Sequence, residues 1–123
     1  MKITAVLVVD AVEPSLEFWV GRMGFLKTME VPDGETLAFA GVAAGNAELM
    51  FQTFSSVRKD VETLLPPPDS VSSLFIEVDD FADTLKRLEG YPVAMPERTT
   101  FYGMREIGVR APGGHAVIFA QPV

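Results

Sequence analysis

Cysteine is absent from this 123-residue sequence, and histidine occurs only once, as His115. The absence of cysteine excludes disulfide bonds and thiolate metal sites, and it is consistent with a reducing compartment. With one imidazole and no thiol, a transition-metal centre would have to be built mostly from carboxylates. We expect His115 to make a structural hydrogen bond at the start of the last strand, with a ligand or general-base role as the alternative.

Basic residues are also scarce. Ten Lys and Arg stand against 17 Asp and Glu, which gives a formal net charge of −7. Nucleic-acid binding depends largely on neutralising phosphates with basic side chains, so we expect no nucleic-acid partner.

Long apolar runs are missing as well. No segment reaches the roughly 20 apolar residues that span a bilayer, and residues 1–9 lack the longer apolar region of a secretory signal. We therefore expect a cytoplasmic protein with no membrane partner. The length and the 48% hydrophobic content indicate one globular domain spanning residues 1–123.

The first half of the chain follows a β-α-β-β-β pattern. Residues 3–9 form a β-branched run typical of a buried strand, and the helix that follows presents Leu16, Trp19, Val20 and Met23 on one face. Gly24 then suits the end of that helix. The predicted remaining strands cover residues 25–31, 35–41 and 47–54, with a turn at 32–34 and a loop at 42–46.

A linker helix and a second copy of the pattern come next. The linker covers about residues 55–69 and ends in three prolines, which stop a helix. It separates module 1, about 1–54, from module 2, about 70–123. The predicted elements of module 2 are strands at 72–78, 92–95, 101–109 and 115–120 and a helix that begins at Phe81 and is closed by Gly90.

The repeated order of elements predicts an α+β protein made of two tandem βαβββ modules. The pair Val9-Asp10 precedes the first helix, and Val78-Asp79 precedes the second. A ferredoxin-like sandwich is the rival fold, but it needs only six strands. Eight strands with a linker between the halves favour the duplicated fold.

Two motifs resemble a known family. Residues 10–25 are similar to the Asp, Ser, aromatic-pair and Gly-Phe signature of the vicinal oxygen chelate (glyoxalase/bleomycin resistance protein/dioxygenase) superfamily. Tyr102-Gly103-Met104-Arg105-Glu106 resembles a late strand of the same group. The resemblance implies curved mixed sheets around a cleft, and it implies a homodimer.

Metal-using members of that family place His or Glu ligands on the first and fourth strand of each module. Carried over by resemblance, these positions are Ile3, Glu48, Ser73 and Ile118. A divalent ion needs several oxygen or nitrogen donors, and two of these four side chains have none. We therefore expect a metal-free member without a cofactor.

Strand alternation then identifies the candidate site. If Glu48 faces the cleft, as the family pattern implies, the alternation adds Met50 and Gln52. The parity of Ile3 adds Ala5 and Leu7, and the parity of Ser73 adds Phe75 and Glu77. The predicted strand 101–109 turns Tyr102, Met104 and Glu106 inward and Arg105 outward. The ligand-binding set is accordingly Glu48, Met50, Gln52, Phe75, Tyr102, Met104 and Glu106.

Apolar walls with sparse polar groups are typical of a small-molecule pocket. We expect a metal-independent binding protein that sequesters a drug or metabolite, as bleomycin-resistance proteins do, with cationic or aromatic ligands favoured by acids beside aromatics. No catalytic residue is assigned. One alternative is an enzyme of the lyase, isomerase or dioxygenase type, either metal-dependent like its relatives or metal-free with Glu48 or Glu106 as a base. Another is a structural or regulatory interaction module, and the alternative for the two glutamates themselves is a solvated rim position.

Overall fold

The computed structural model describes residues 1–123 and divides them into two compact units, Met1–Val71 and Ser72–Val123. Each unit contains one four-stranded mixed sheet with its helices, so the predicted α+β class and the paired βαβββ modules are confirmed. None of the helices has the length and apolar character that crossing a membrane requires.

The first unit holds four strands and two helical regions. Helix α1 (Glu13–Leu16) continues as a π-helical segment, Glu17–Arg22, and helix α2 (Phe54–Val61) continues as a 3-10 turn, Glu62–Leu64. The remaining bounds are β1 (Ala5–Val9), β2 (Leu26–Asp33), β3 (Thr36–Ala44) and β4 (Ala47–Thr53).

The second unit repeats this arrangement with a single helix. Its elements are β5 (Ser73–Glu77), α3 (Phe81–Arg87), β6 (Met95–Thr99), β7 (Met104–Arg110) and β8 (Ala116–Pro122). The strand order is β1-β4-β3-β2 in the first sheet and β5-β8-β7-β6 in the second. In both sheets the first strand pairs in parallel with the last, and all other pairs are antiparallel.

The core of the first unit is an aromatic cluster on one face of the sheet. Trp19 is fully buried, and its ring centroid lies 5.1 Å from that of Phe18, 5.1 Å from that of Phe25 and 6.4 Å from that of Phe51. The predicted helical face did not include Phe18, because it assumed α-helical spacing. The helix changes to π geometry at Glu17, and the adjacent residues Phe18 and Trp19 are both buried.

The register of β1 corrects one prediction. Leu7 pairs with Phe51 and is buried on the aromatic face, so it does not share a face with Met50. Ala5 pairs with Leu49 and lies on that face too, so the expectation that the parity of Ile3 places Ala5 and Leu7 with Glu48 was wrong. Val6 and Val8 are the residues of β1 that lie beside Met50 and Gln52.

Two turns also differ from their predictions. Val42, which was placed in a loop, is buried on β3, and the hairpin instead turns at Gly45-Asn46, where Gly45 has a φ of +57°. Pro32, which was placed in a turn, lies on β2. Proline is tolerated there because β2 is an edge strand, which leaves half of its donors unpaired.

The β6–β7 hairpin of the second unit lies further along the chain than predicted. Strand β6 ends at Thr99 and β7 begins only at Met104, so Tyr102 belongs to the turn and not to a strand. The backbone N–H of Thr100 donates to the Met104 carbonyl over 2.8 Å, and Gly103 has a φ of +82°. That left-handed conformation suits glycine and closes the turn.

Candidate functional site

Each sheet has one face covered by the helix that follows its first strand, and we call the opposite one the far face. In the second unit α3 covers the face of Arg105, whose guanidinium carbon lies 4.8 Å from the centre of the Phe81 ring. Met104 and Glu106 alternate with Arg105 and therefore lie on the far face. Phe75 joins them, since it pairs with Ile118, and Ile118 pairs with Gly108 on the same side of β7.

Glu106 is the centre of a polar network on this far face. The side chain is 0% exposed, so it is not the solvated rim charge that was one alternative. Arg98 donates from Nε and Nη2 to Oε1 over 3.1 and 3.0 Å, and the Tyr102 hydroxyl donates to Oε2 over 2.7 Å. Both carboxylate oxygens are satisfied, which is what allows a charge to be buried.

Tyr102 reaches this network from the β6–β7 turn. Its ring remains 53% exposed while its hydroxyl is held by Glu106. This hydrogen bond, together with partial burial and the charge of Glu106, raises the pKa of Tyr102 above its usual 10.0. At neutral pH the hydroxyl is therefore a donor that holds the aromatic ring in one place.

Exposed aromatic and acidic side chains surround the network. Phe75 is 55% exposed on β5, an edge strand of its sheet. Glu77 follows two residues later on the same face of β5, is exposed and makes no ion pair. Four of the seven predicted residues, Phe75, Tyr102, Met104 and Glu106, thus belong to the second unit, where Tyr102 contacts Glu106 and Phe75 lies on the same face two strands away.

The other three predicted residues share the far face of the first unit. Glu48, Met50 and Gln52 alternate with the buried Leu49 and Phe51. The Glu48 carboxylate forms an ion pair with Lys2, and Gln52 donates from Nε2 to Ser56 Oγ over 3.1 Å.

The donor set expected of a metal-using relative does not fit a divalent ion here. Ile3 is largely exposed ahead of β1 and has the parity of Leu7 rather than that of the Glu48 face, Ile118 lies within β8, and neither side chain has a lone pair. The carboxylate of Glu48 is engaged by Lys2. No group of three or more His, Asp or Glu side chains is placed to share one ion. A chelating site of the kind described in Sequence analysis cannot be assembled from these residues.

Sequence reasoning missed Arg98 and Lys2, the charged partners of the two glutamates. Arg98 pairs across strands with Glu106, and opposite charges at facing positions are a recognised sheet signal. That signal was lost because β6 was expected to end at residue 95. His115 has a structural role, since it is buried and its Nδ1 accepts a 2.9 Å hydrogen bond from the backbone N–H of Ser72.

Similar folds are known among solved structures. TioX from Micromonospora sp. ML1 superposes with a TM-score of 0.83 at 17% identity, covering 100% of this chain and 99% of that one. Lactoylglutathione lyase from Agrobacterium tumefaciens gives a TM-score of 0.77 at 17% identity over 98% and 92% of the two chains. At these identities the likeness concerns the fold alone.

A bleomycin-binding protein from Streptomyces verticillus, solved with copper(II)-bleomycin, has a TM-score of 0.66 and 26% identity, over 97% of this chain and 93% of that chain. No match to a curated protein was found.

Each unit contains a four-stranded mixed sheet with the same strand order, so the chain is an α+β protein made of two copies of one module. The family model for the Glyoxalase/Bleomycin resistance protein/Dioxygenase superfamily matches residues 3–119, which is nearly the whole chain. The chain belongs to this superfamily, as the resemblance of its motifs implied.

Proposed function

We propose that this protein is a metal-independent binding protein for a small organic molecule and that it sequesters its ligand without chemical change. One observation carries the proposal. The far face of the second unit presents two exposed aromatic rings, Phe75 and Tyr102, on the same side of the sheet as a buried and fully satisfied Glu106. Rigid aromatic surface with few fixed polar groups is the usual composition of a ligand site.

The charges around these rings favour a cationic aromatic ligand. Glu106 is neutralised by Arg98, but Glu77 lies beside Phe75 and has no ion-pair partner. A carboxylate next to an aromatic face attracts a cation both by charge and through the ring quadrupole. The net charge of −7 adds a weak long-range attraction at physiological salt.

Glu48, Met50 and Gln52 are retained in the proposal as ligand-binding residues of the first unit. Methionine adapts its shape to different ligands, so Met50 and Met104 suit broad acceptance. The proposal also includes a cytoplasmic location, a homodimer, and modules at about 1–54 and 70–123 joined by the linker 55–69. Sedimentation velocity of the purified chain tests the dimer.

The experiment that tests the function is a calorimetric titration after a thermal-shift screen. The screen includes cationic glycopeptides, aromatic antibiotics and anionic aromatic compounds. We expect a cationic aromatic hit whose Kd weakens roughly tenfold in Phe75→Ala, because a buried phenyl ring contributes about 1.5 kcal/mol or more.

Leu26→Ala is the matched control, since Leu26 is also an exposed apolar residue on a strand but belongs to the first unit. Equal Kd values for wild type, Phe75→Ala and Leu26→Ala would refute the assignment.

An enzyme of the lyase, isomerase or dioxygenase type is the second candidate, and the lyase neighbour keeps it open. A metal-free enzyme would need Glu48 or Glu106 as a base, but both oxygens of Glu106 already accept hydrogen bonds and Glu48 is paired with Lys2. Elemental analysis of protein purified without chelator discriminates the candidates. Stoichiometric manganese, iron, nickel or zinc that disappears in Glu48→Ala would favour the enzyme.

A further inference from the structure

A cavity of about 260 Å³ lies in the first unit, between the far face of its sheet and helix α2. Val6 and Val8 of β1 form its floor, and Val57, Val61 and Leu64 form its wall on the helical side. Its volume lies just below the usual range for ligand pockets of about 300–1,000 Å³, which limits an occupant to one ring or a short chain.

Several of the apolar side chains that line this cavity are exposed to solvent. Val6, Val61 and Leu64 are all exposed, and Leu64 reaches 72%. Exposed apolar side chains that adjoin one another mark a binding surface more often than isolated ones do. Helix α2 was expected only to link the two modules, so this surface is not explained by that role.

Two polar groups line the same cavity, and both can accept hydrogen bonds. Asp60 is exposed on α2 and has no ion-pair partner, since the neighbouring Lys59 pairs with Asp33 over 3.4 Å. Gln52 uses its Nε2 to bind Ser56, which leaves Oε1 as an acceptor. Neither a Lys nor an Arg lines the cavity, so the site offers acceptors and negative charge without a donating cation.

We infer that this cavity is a separate binding site for a small apolar molecule that carries a protonated amine. The apolar walls take up the hydrocarbon part, and the carboxylate of Asp60 receives the ammonium group as a charge-assisted hydrogen-bond partner. The site shares only Gln52 with the proposed function and does not depend on the aromatic face of the second unit.

An NMR titration of the full-length, isotopically labelled chain tests the site with benzylammonium as the probe. Benzyl alcohol and benzoate serve as neutral and anionic analogues of the same shape. We expect benzylammonium to shift amide signals of β1, β4 and α2, and we expect benzoate not to bind. Asp60→Asn should weaken the Kd about tenfold, because it removes the charge and keeps the shape.

Glu62→Gln is the matched control, since Glu62 lies two residues away and does not line the cavity. We expect it to change the Kd by less than about twofold, as a surface charge without direct contact does. Benzylammonium is also a cationic aromatic compound, so its binding at the proposed face would shift amide signals of β5 and β7. Phe75→Ala should remove those shifts and leave the shifts of β1 and α2 in place, so a failure of this site and a failure of the proposed function are distinguishable.

Three results would overturn the inference. One is the absence of any shift, and another is equal binding of benzylammonium and benzoate. The third is a set of amide shifts in β1 and α2 that depends on protein concentration alone and is abolished by Leu64→Asp, because a second copy of the chain would then cover the surface.

Discussion

The two units have the same strand order and both bury aromatic residues against a helix, but they differ in how exposed the aromatic residues of their far faces are. In the first unit the aromatic cluster around Trp19 packs between the sheet and its helix, out of contact with solvent. In the second unit Phe75 and Tyr102 lie on the far face and remain half exposed. Phe81 and Phe119 are buried in the core of the second unit as well. The difference therefore lies in the far faces: Phe39 on that of the first unit is half-buried, whereas Phe75 and Tyr102 are available for contact.

The ion pairs of the two far faces differ in the same way. Glu106 is completely buried under Arg98, whereas Glu48 and Lys2 are both partly exposed. The comparison teaches that the duplicated backbone specifies the scaffold, while burial of individual side chains decides which face can bind a ligand. The four predictions below test this difference, in order of decreasing expected effect.

Replacing Trp19 with alanine should cost the most. A fully buried aromatic residue contributes about 3–5 kcal/mol to the free energy of unfolding, and Trp19 contacts three other rings. Phe75→Ala should cost less than about 1 kcal/mol, because its ring is already half exposed. Urea denaturation of both variants measures the contrast, and similar losses would mean that the faces are not distinct.

Arg98→Ala should have the next largest effect. It leaves the buried Glu106 carboxylate with Tyr102 as its remaining partner, and we expect a loss of about 2–3 kcal/mol, reduced from the fully buried case because Arg98 is itself 52% exposed. Lys2→Ala is the counterpart in the first unit and should cost about 0.5 kcal/mol or less. Equal losses in chemical denaturation would contradict the buried network.

Gly41 on β3 and Gly108 on β7 lie on equivalent strands of the two sheets, and replacing each with alanine compares how closely side chains pack against them. A Cβ at Gly108 would lie 2.9 Å from Met95 Cβ, which is fixed to the backbone of β6. A Cβ at Gly41 would lie 2.7 Å from Thr28 Oγ1, which can rotate away. We expect Gly108→Ala to lower the free energy of unfolding by about 1–3 kcal/mol and Gly41→Ala to lower it less. The reverse order in thermal or urea denaturation would refute this explanation.

The smallest effect concerns the titration of Tyr102. In a Tyr91→Phe background only Tyr102 contributes tyrosinate absorbance, and its pKa should lie above 10.0. The protonated form is the one favoured by folding, so the contribution of this hydrogen bond is present below pH 10 and is lost as the pH rises through the raised pKa. Adding Glu106→Gln should return the pKa toward 10.0, and an unchanged value would exclude the contact.

Much of the fold could be predicted from the sequence because both modules follow simple periodic rules. The alternation of Glu48, Met50 and Gln52 against Leu49 and Phe51 is visible in the sequence and is confirmed. The position of the β6–β7 hairpin was harder to predict. Strand β6 begins with Met95-Pro96 and contains a register shift, which interrupts the alternation of side chains on which the prediction depends.

The candidate site was harder to predict than the fold. Met104 and Glu106 were correctly predicted to share the face opposite Arg105, but the partner that buries Glu106 was missed with the bounds of β6. The cavity beneath α2 depends on how that helix lies over β1 and β4. Tertiary placement of this kind is not encoded in the pattern of either element alone.

The edge strands β2 and β6 are built in a way that disfavours aggregation. Each is the edge of its sheet opposite the parallel pair, each contains a proline, Pro32 or Pro96, and each is interrupted by a register shift. A proline removes one backbone donor and an irregular register spoils the flat ladder that another chain would extend. These two edges are therefore poor templates for intermolecular strand pairing, which protects the chain against aggregation at high concentration.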